Sequence, residues 1–307
     1  MPSQEQFEGC LLGQALADAA GSRFEGIERE ALRRQYQSPS EALNAACRGR
    51  MKYTDDTQMA LALANYLVEY DEITPNVLMQ RFVDFYEPWR GYGRGTRVLV
   101  DAFRDGVEYE FLAQTLFPGG SLGNGAAMRS AIVGLRFSPD QECVWEQSSK
   151  SAWPTHRNVL GIEGSQLISL AAMLAATESD ITPTSLAVAL HRQCKTAVFE
   201  KQLERLGKVA SLADVEQFGN GIEANESVVT ALACFAMHPD DYQSAVALAI
   251  WQGGDTDTIA AMTGALCGIR VERSGLPGEH LANLESAEFG DEVHALAVKL
   301  AESQQDR

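Results

Sequence analysis

Gly253-Gly254-Asp255-Thr256-Asp257-Thr258 crowds two carboxylates and two hydroxyls between a glycine pair and the apolar run Ile259-Ala260-Ala261-Met262. Packing gains nothing from acids at this spacing. Like charges a few ångströms apart raise each other's pKa unless a cation neutralises them. A helix N-cap also accounts for such a stretch, since Asp and Thr accept helix N–H bonds and the dipole favours acid there. A cap, however, needs only one such residue. Tyr53-Thr54-Asp55-Asp56-Thr57 repeats the arrangement in front of Met59-Ala60-Leu61-Ala62-Leu63-Ala64. On a helix Asp255 and Asp257 sit roughly 200° apart, so both face one point only if Asp255 precedes the first turn. The glycine pair permits that backbone. A fold that brings the two junctions together can hold metal between two helix N-termini, and the rest of the chain is read against that requirement.

The remaining sequence is helical in period. A first helix is expected over 3–20, with Phe7, Cys10, Leu11 and Ala15 on one face and Gly9, Gly13 and Gly21 allowing close backbone approach. Glu25 lies in the loop behind it, either a solvated carboxylate or a further ligand. Residues 28–50 read as polar and loosely helical. Helices are expected over 54–70 and 75–86, the second with Thr74 as N-cap and Pro75 at its first position. Two glycine-rich loops follow. Gly91 and Gly93 lie in Pro88-Trp89-Arg90-Gly91-Tyr92-Gly93-Arg94-Gly95-Thr96, which is either plain turn chemistry or a close approach to ligand. Pro118-Gly119-Gly120-Ser121-Leu122-Gly123-Asn124-Gly125 is expected to open a helix at Ala126, a ready anion site. Thr155-His156 is expected to start a helix running toward Thr177. Further helices are expected over 186–193, 197–209, 227–237, 240–250 and 288–303. Runs of alternating β-branched residues are absent, so the expected fold is all-α, a compact multi-helix bundle over 1–307 in one domain with the metal site at helix N-termini.

Composition narrows the function. A chain of 307 residues, 45% hydrophobic and 22% charged, is an ordinary globular chain with enough apolar residue for a sizeable core. A net charge of −17 argues against non-specific binding to nucleic acid, though not against a phosphorylated ligand held by backbone N–H groups or metal. The six cysteines include no C-x-x-C pair and read as reduced thiols. No apolar run is read as the roughly 20 residues of a membrane span, and the N-terminus lacks a signal-peptide pattern. A cytoplasmic monomer is the expectation.

Thr54, Asp55, Asp56, Asp255, Asp257 and Thr258, joined by Glu25, offer hard oxygen donors. Such donors suit Mg²⁺, Mn²⁺ or Ca²⁺ over Zn²⁺ or copper. So many carboxylates point to two ions, able to activate water and clamp a substrate.

These motifs together resemble the ADP-ribosyl-acceptor hydrolases, the group that includes dinitrogenase-reductase-activating glycohydrolase. The resemblance rests on Gly9-Cys10-Leu11-Leu12-Gly13 with Asp18 and Gly21, Tyr53 to Thr57, Gly120 to Arg129, Thr155-His156, and Gly253 to Thr258. It implies an all-α fold, a binuclear Mg²⁺ or Mn²⁺ site, and release of ADP-ribose from modified proteins or peptides. Arg90-Gly91-Tyr92-Gly93, Gly120 to Gly125, and Gly219-Asn220-Gly221-Ile222 with Glu226-Ser227-Val228 resemble the branch that acts on serine. The resemblance carries Glu25, Thr54, Asp55, Asp56, Asp255, Asp257 and Thr258 over as metal ligands. Glu25, Asp55, Asp56 and Asp257 follow as the catalytic carboxylates. Gly91, Gly93 and Ile222 fall in the matching stretches. Gly120, Ser121, Gly123 and Asn124 match the loop around the pyrophosphate and distal ribose, and His156 matches a ligand-contacting histidine. Leu122 stands where that branch usually has an aromatic residue beside the ligand. Other readings are hydrolysis of ADP-ribosyl-arginine or O-acetyl-ADP-ribose, an idle ADP-ribose-binding module, and a metal phosphohydrolase that would release AMP.

Overall fold

The computed structural model describes residues 1–286 and 288–305. Among them the chain forms eighteen α-helices and no strand, as the periodicity predicts. Two isolated bridges, Met51 with Leu284 and Gly123 with Glu223, supply the β-type pairing.

The organising pair is the first helix, Gln4–Gly21, and the helix Thr256–Val271, which run antiparallel with their backbones in contact. Glycine makes the contact possible: a Cβ on Gly9 would stand 2.2 Å from the Gly268 carbonyl oxygen, and one on Gly13 would stand 2.5 Å from that of Gly264. At the far end a Cβ on Gly21 would meet the Thr256 oxygen at 2.4 Å, so the first helix ends where the other begins. Every residue from Thr256 to Ile269 is buried. One apolar cluster runs around this pair from Phe7 to Leu300.

The third element at this point is the helix Asp55–Glu69. The fully buried carboxylate of Asp18, near the end of the first helix, accepts from the Thr54 N–H at 3.0 Å and the Thr54 hydroxyl at 2.9 Å. It also accepts from the Thr57 N–H at 3.1 Å and the Thr57 hydroxyl at 2.5 Å. Four donors on one carboxylate pin the start of Asp55–Glu69 beside the start of Thr256–Val271. Two helix N-termini, each a positive dipole end, therefore open at one place.

Several local expectations are corrected. Thr155 and His156 precede the long helix, which runs Val159–Thr177 and is capped by Asn158 accepting from the Leu160 N–H at 2.9 Å. No α-helix begins at Ala126. Asn124–Ala126 is a 3₁₀ turn and the α-helix is Ala131–Arg136, because tertiary partners claim the turn's backbone: Asn124 N–H donates to the Ile222 oxygen at 2.9 Å, and Arg129 donates to the Gly125 oxygen at 2.7 Å. The loosely helical stretch resolves into Arg29–Gln35 and Pro39–Ala46. The sequence reading missed the helices Arg94–Arg104, Tyr109–Thr115, Ala131–Arg136, Gln141–Ala152, Leu212–Val215 and Gly278–Leu281. Among the described residues one helix, Val159–Thr177, is long and apolar enough by composition to cross a membrane, against expectation, and 78% of its apolar window is buried inside the fold.

Candidate active site

A cleft of about 250 Å³ opens at the paired N-termini. Of the sequence-predicted residues it is lined by Glu25, Thr54, Asp55, Asp56, Gly91, Gly93, Ser121, Gly123, Asn124, His156, Ile222, Asp255, Asp257 and Thr258. Gly120 and Leu122 do not line it. Gly120 has a positive φ of 83°, and a Cβ there would meet the Asn158 nitrogen at 2.5 Å, so it serves the turn against the 156–158 segment. The Leu122 carbonyl accepts from the Ala224 N–H at 3.0 Å. That contact helps pair the loop with 222–224.

At the acidic end, each of Glu25, Asp255 and Asp257 offers one oxygen, and the three lie within 4.8 Å of one another. Two backbone bonds place Glu25 there: Gly26 N–H to the Gly254 oxygen at 2.8 Å and Gly254 N–H to the Ile27 oxygen at 2.9 Å. The glycine pair is needed, since Gly253 and Gly254 take φ of 66° and 72°, and a Cβ on Gly254 would fall 2.3 Å from the Asn220 oxygen. Asp255 stands at the N-cap position, before the first turn, yet its side chain caps nothing. Instead it accepts from Asn124 Nδ2 at 2.5 Å. Thr54, by contrast, does cap its helix, accepting from the Asp56 N–H at 3.3 Å.

The carboxylates repel one another. Burial, then the charge of Asp18, pushes Asp55 up to about 7. Burial and Asp257 push Asp56 well above the usual carboxylate range, and burial and Asp255 do the same to Asp257. Glu25 is raised by burial and by Asp255. Asp56 Oδ1 is buried and has no hydrogen-bond partner among the described residues. The nearby cation, Arg129, directs its two terminal nitrogens at the Gly125 oxygen, the Ser151 oxygen and the Thr155 hydroxyl, while its Nε–H has no partner among the described residues. A buried acceptor without a donor, among acids that raise each other's pKa, fits a site built for cations. The all-oxygen donor set fits Mg²⁺ or Mn²⁺.

The other end of the cleft is uncharged. Burial, then Arg129, lowers His156 to about 3, so it is neutral across the ordinary pH range. The Thr155 hydroxyl accepts from Arg129 at 2.9 Å and lies 2.7 Å from His156 Nδ1. A hydroxyl proton directed at Nδ1, instead of at the Ala152 oxygen 3.5 Å away, would leave an Nε2–H facing Gly123 and Gly125. The expected helix N-terminus behind the glycine loop is absent, so an anion placed here would have as partners Ser121, His156 Nε2 and loop N–H groups other than those of Gly120, Gly123 and Asn124. Two glycine loops run from the acids to this end: Gly91 lies against Asp55, while Gly95 lies against Phe117. Phe117 is 43% exposed and joins Ile222 as apolar lining. Sequence reasoning missed Leu99 and Phe117, and it quoted Gly95, Thr96, Gly125, Met128 and Thr155 within motifs without giving them a site role. The signal for Phe117 was its place in the sequence as the ring nearest the glycine loop.

The ADP-ribosylglycohydrolase family model matches residues 1–307. ADP-ribosylhydrolase ARH3 of Homo sapiens is 33% identical, over 94% of this chain and 92% of its own length. An uncharacterised protein, YegU of Escherichia coli, is 30% identical over 86% of this chain and 87% of its own length. A solved structure described as an ADP-ribosylglycohydrolase-related protein complex shares the fold, with a TM-score of 0.74, 22% identity and 98% of both chains covered.

Proposed function

Because the chain belongs to the ADP-ribosylglycohydrolase family and is a hydrolase of glycosyl bonds, we propose that it removes ADP-ribose from proteins modified on serine, using two divalent cations, Mg²⁺ or Mn²⁺. The observation that carries the metal reading is Asp56 Oδ1, buried without a donor amid Asp55, Asp257 and Asp255. The serine linkage is proposed from the likeness of Arg90–Gly93, Gly120–Gly125 and Gly219–Ile222 to that branch. Glu25, Thr54, Asp55, Asp56, Asp255, Asp257 and Thr258 would hold the ions. Bound there, the ions would supply Lewis-acid charge beside the vicinal hydroxyls of the distal ribose.

The chain's own groups divide the remaining work. The distal ribose sits at the acidic end. The diphosphate extends toward Ser121 and the Nε2–H of His156, a neutral donor that keeps its proton. The adenine rests on Phe117 and Ile222, whose exposed apolar faces gain by being covered. Glu25 stands at the mouth with its proton affinity raised, suited to pass a proton between water and the leaving hydroxyl. The anomeric C–O bond breaks, water supplies the new hydroxyl, and the acceptor serine regains its proton.

The test is side-by-side hydrolysis of serine-linked and arginine-linked ADP-ribosyl peptides, with Mg²⁺ or with excess chelator. Release of intact ADP-ribose from the serine peptide in Mg²⁺ alone is expected. Preference for the arginine peptide would overturn the linkage, full activity in chelator the metal, and AMP as product the bond cleaved.

A further inference from the structure

The Pro88–Gly95 loop and the segment before Thr54 carry a second feature that the cleft does not use. Segments 42–54 and 88–100 hold Arg48, Arg50, Lys52, Arg90, Arg94 and Arg97 and not one acid, in a chain with 42 acids and 25 Lys and Arg residues. Arg90 is neutralised inside the fold by Glu285 and Glu87. The others are not. Among the described residues Arg23, Arg50 and Lys52 are exposed and form no ion pair.

Two sets of contacts, joined through the backbone of residues 50–52, set these residues in one strip. Arg23 donates to the Arg50 carbonyl at 2.9 Å. Lys52 Nζ lies 5.1 Å over the ring of Trp89, and Trp89, 57% exposed, stacks on Arg90 at 3.9 Å. The strip borders the cleft at its acidic end: Arg23 is two residues from Glu25, Lys52 two from Thr54, and Trp89 two from Gly91, all cleft-lining. A cationic rim around an anionic site, on a protein of net charge −17, reverses the local field for whatever approaches there.

We infer that the strip Arg23–Arg50–Lys52–Trp89 is the docking surface for the acceptor polypeptide, selecting segments that carry carboxylates close to the modified residue. The inference rests on the proposed reaction, which puts the leaving serine at the acidic end and so sends its main chain over this rim. Carboxylates pair with the three cations, and Trp89 offers a flat apolar face to the segment between them. Such exposed pairs are individually weak, so the three together amount to about tenfold in kcat/KM, fading as salt screens them.

The experiment uses three serine-ADP-ribosylated peptides differing only in flanks of Glu, Gln or Lys, assayed with Mg²⁺ at low and high NaCl. The protein is compared with Arg23→Gln/Arg50→Gln/Lys52→Gln and with Lys52→Glu. Expected is a preference for the Glu peptide over the Gln peptide of about tenfold at low salt, mostly lost at high salt. The triple variant should abolish it and Lys52→Glu weaken it, with the Gln peptide turned over as before. Equal rates for the three peptides, or a preference surviving the triple substitution, would overturn the docking surface. An equal fall for all peptides would mean the strip merely supports the Thr54 junction and would overturn it too. Failure of the glycohydrolase reading is distinct, since the Gln peptide itself would then release no ADP-ribose, and the docking inference would fall with it.

Discussion

The carboxylate cluster makes the metal-free protein sensitive to pH in an unusual direction. Asp55 is raised from 3.8 to about 7. A folded state with the higher pKa binds the proton more tightly than the unfolded chain, so protonation stabilises it and stability falls as pH rises from about 4 through 7. At pH 5.5 folded Asp55 is protonated, and at pH 8.5 it is ionised. The intervening 1.5 units below its folded pKa, at 1.36 kcal/mol each, correspond to about 2 kcal/mol. Asp18, raised to about 6 by burial against its four donors, acts in the same direction. Asp18 is one of the charges acting on Asp55, so those two contributions do not simply add; Asp56 and Asp257, raised well above the usual range, act in the same direction, and about 2 kcal/mol is the smallest fall expected. The assay is urea unfolding at several pH values from 5.5 to 8.5 in excess chelator, for the protein and for Asp55→Asn. The variant should show a shallower fall, by up to about 2 kcal/mol over the range. In saturating Mg²⁺ the trend should invert, since cations compete with protons for the same oxygens and bind only the native state. At 100 times the dissociation constant they contribute about 2.7 kcal/mol. A metal-free stability that is flat or rising over this range would refute the mutual repulsion on which the metal reading depends.

Asp257→Ala should abolish Mg²⁺-dependent turnover while metal-free stability holds or rises, and retained activity with a large metal-free loss in urea would make Asp257 a structural residue. Gly254→Ala, at φ of 72° with its Cβ 2.3 Å from the Asn220 oxygen, should cost about 2–4 kcal/mol in urea unfolding from left-handed strain and overpacking; a loss under about 1 kcal/mol would argue against close approach there. His156→Phe should weaken ADP-ribose binding about tenfold by calorimetry, about 1.4 kcal/mol, while the parent kcat/KM shows no inflection near pH 6.5, where an ordinary histidine titrates. An inflection there that vanishes in His156→Phe would contradict a permanently neutral imidazole.

The sequence carries the helices and the crowded acids because both are local signals. Apolar period marks Gln4–Gly21 and Asp55–Glu69 to within a residue or two and announces the start of Thr256–Val271 without its end, and the angle between Asp255 and Asp257 on a helix already requires Asp255 to lie outside it. The glycines of the first helix announce a close approach without naming its partner, which proves to be a second glycine set, Gly264 and Gly268. Where local and tertiary demands conflict, the sequence misleads. Gly-Asn-Gly-Ala-Ala-Met reads as a helix start, but the Ile222 oxygen and the Arg129 side chain take its backbone groups first.

The same distinction explains which parts of the site were hidden. Glu25, Asp56 and Asp257 could be picked out from residue type, but Asp18 and Asn124 depend on what they touch. Asp18 orients Thr54: the hydroxyl has one proton, and the Asp18 oxygen at 2.9 Å is nearer than the Asp56 oxygen at 3.1 Å. With the proton directed at Asp18 and one lone pair accepting the Asp56 N–H, one hydroxyl lone pair is left for a ligand in the cleft. Asn124 belongs by sequence to the ligand loop, yet its amide donates to Asp255 at 2.5 Å and to the Ser227 hydroxyl at 3.0 Å. An amide cannot satisfy that carboxylate and move freely with a ligand. The glycine loop is therefore held in register with the acids before any nucleotide arrives, and a shift of Asp255 upon neutralisation would be felt directly at Gly123 and His156.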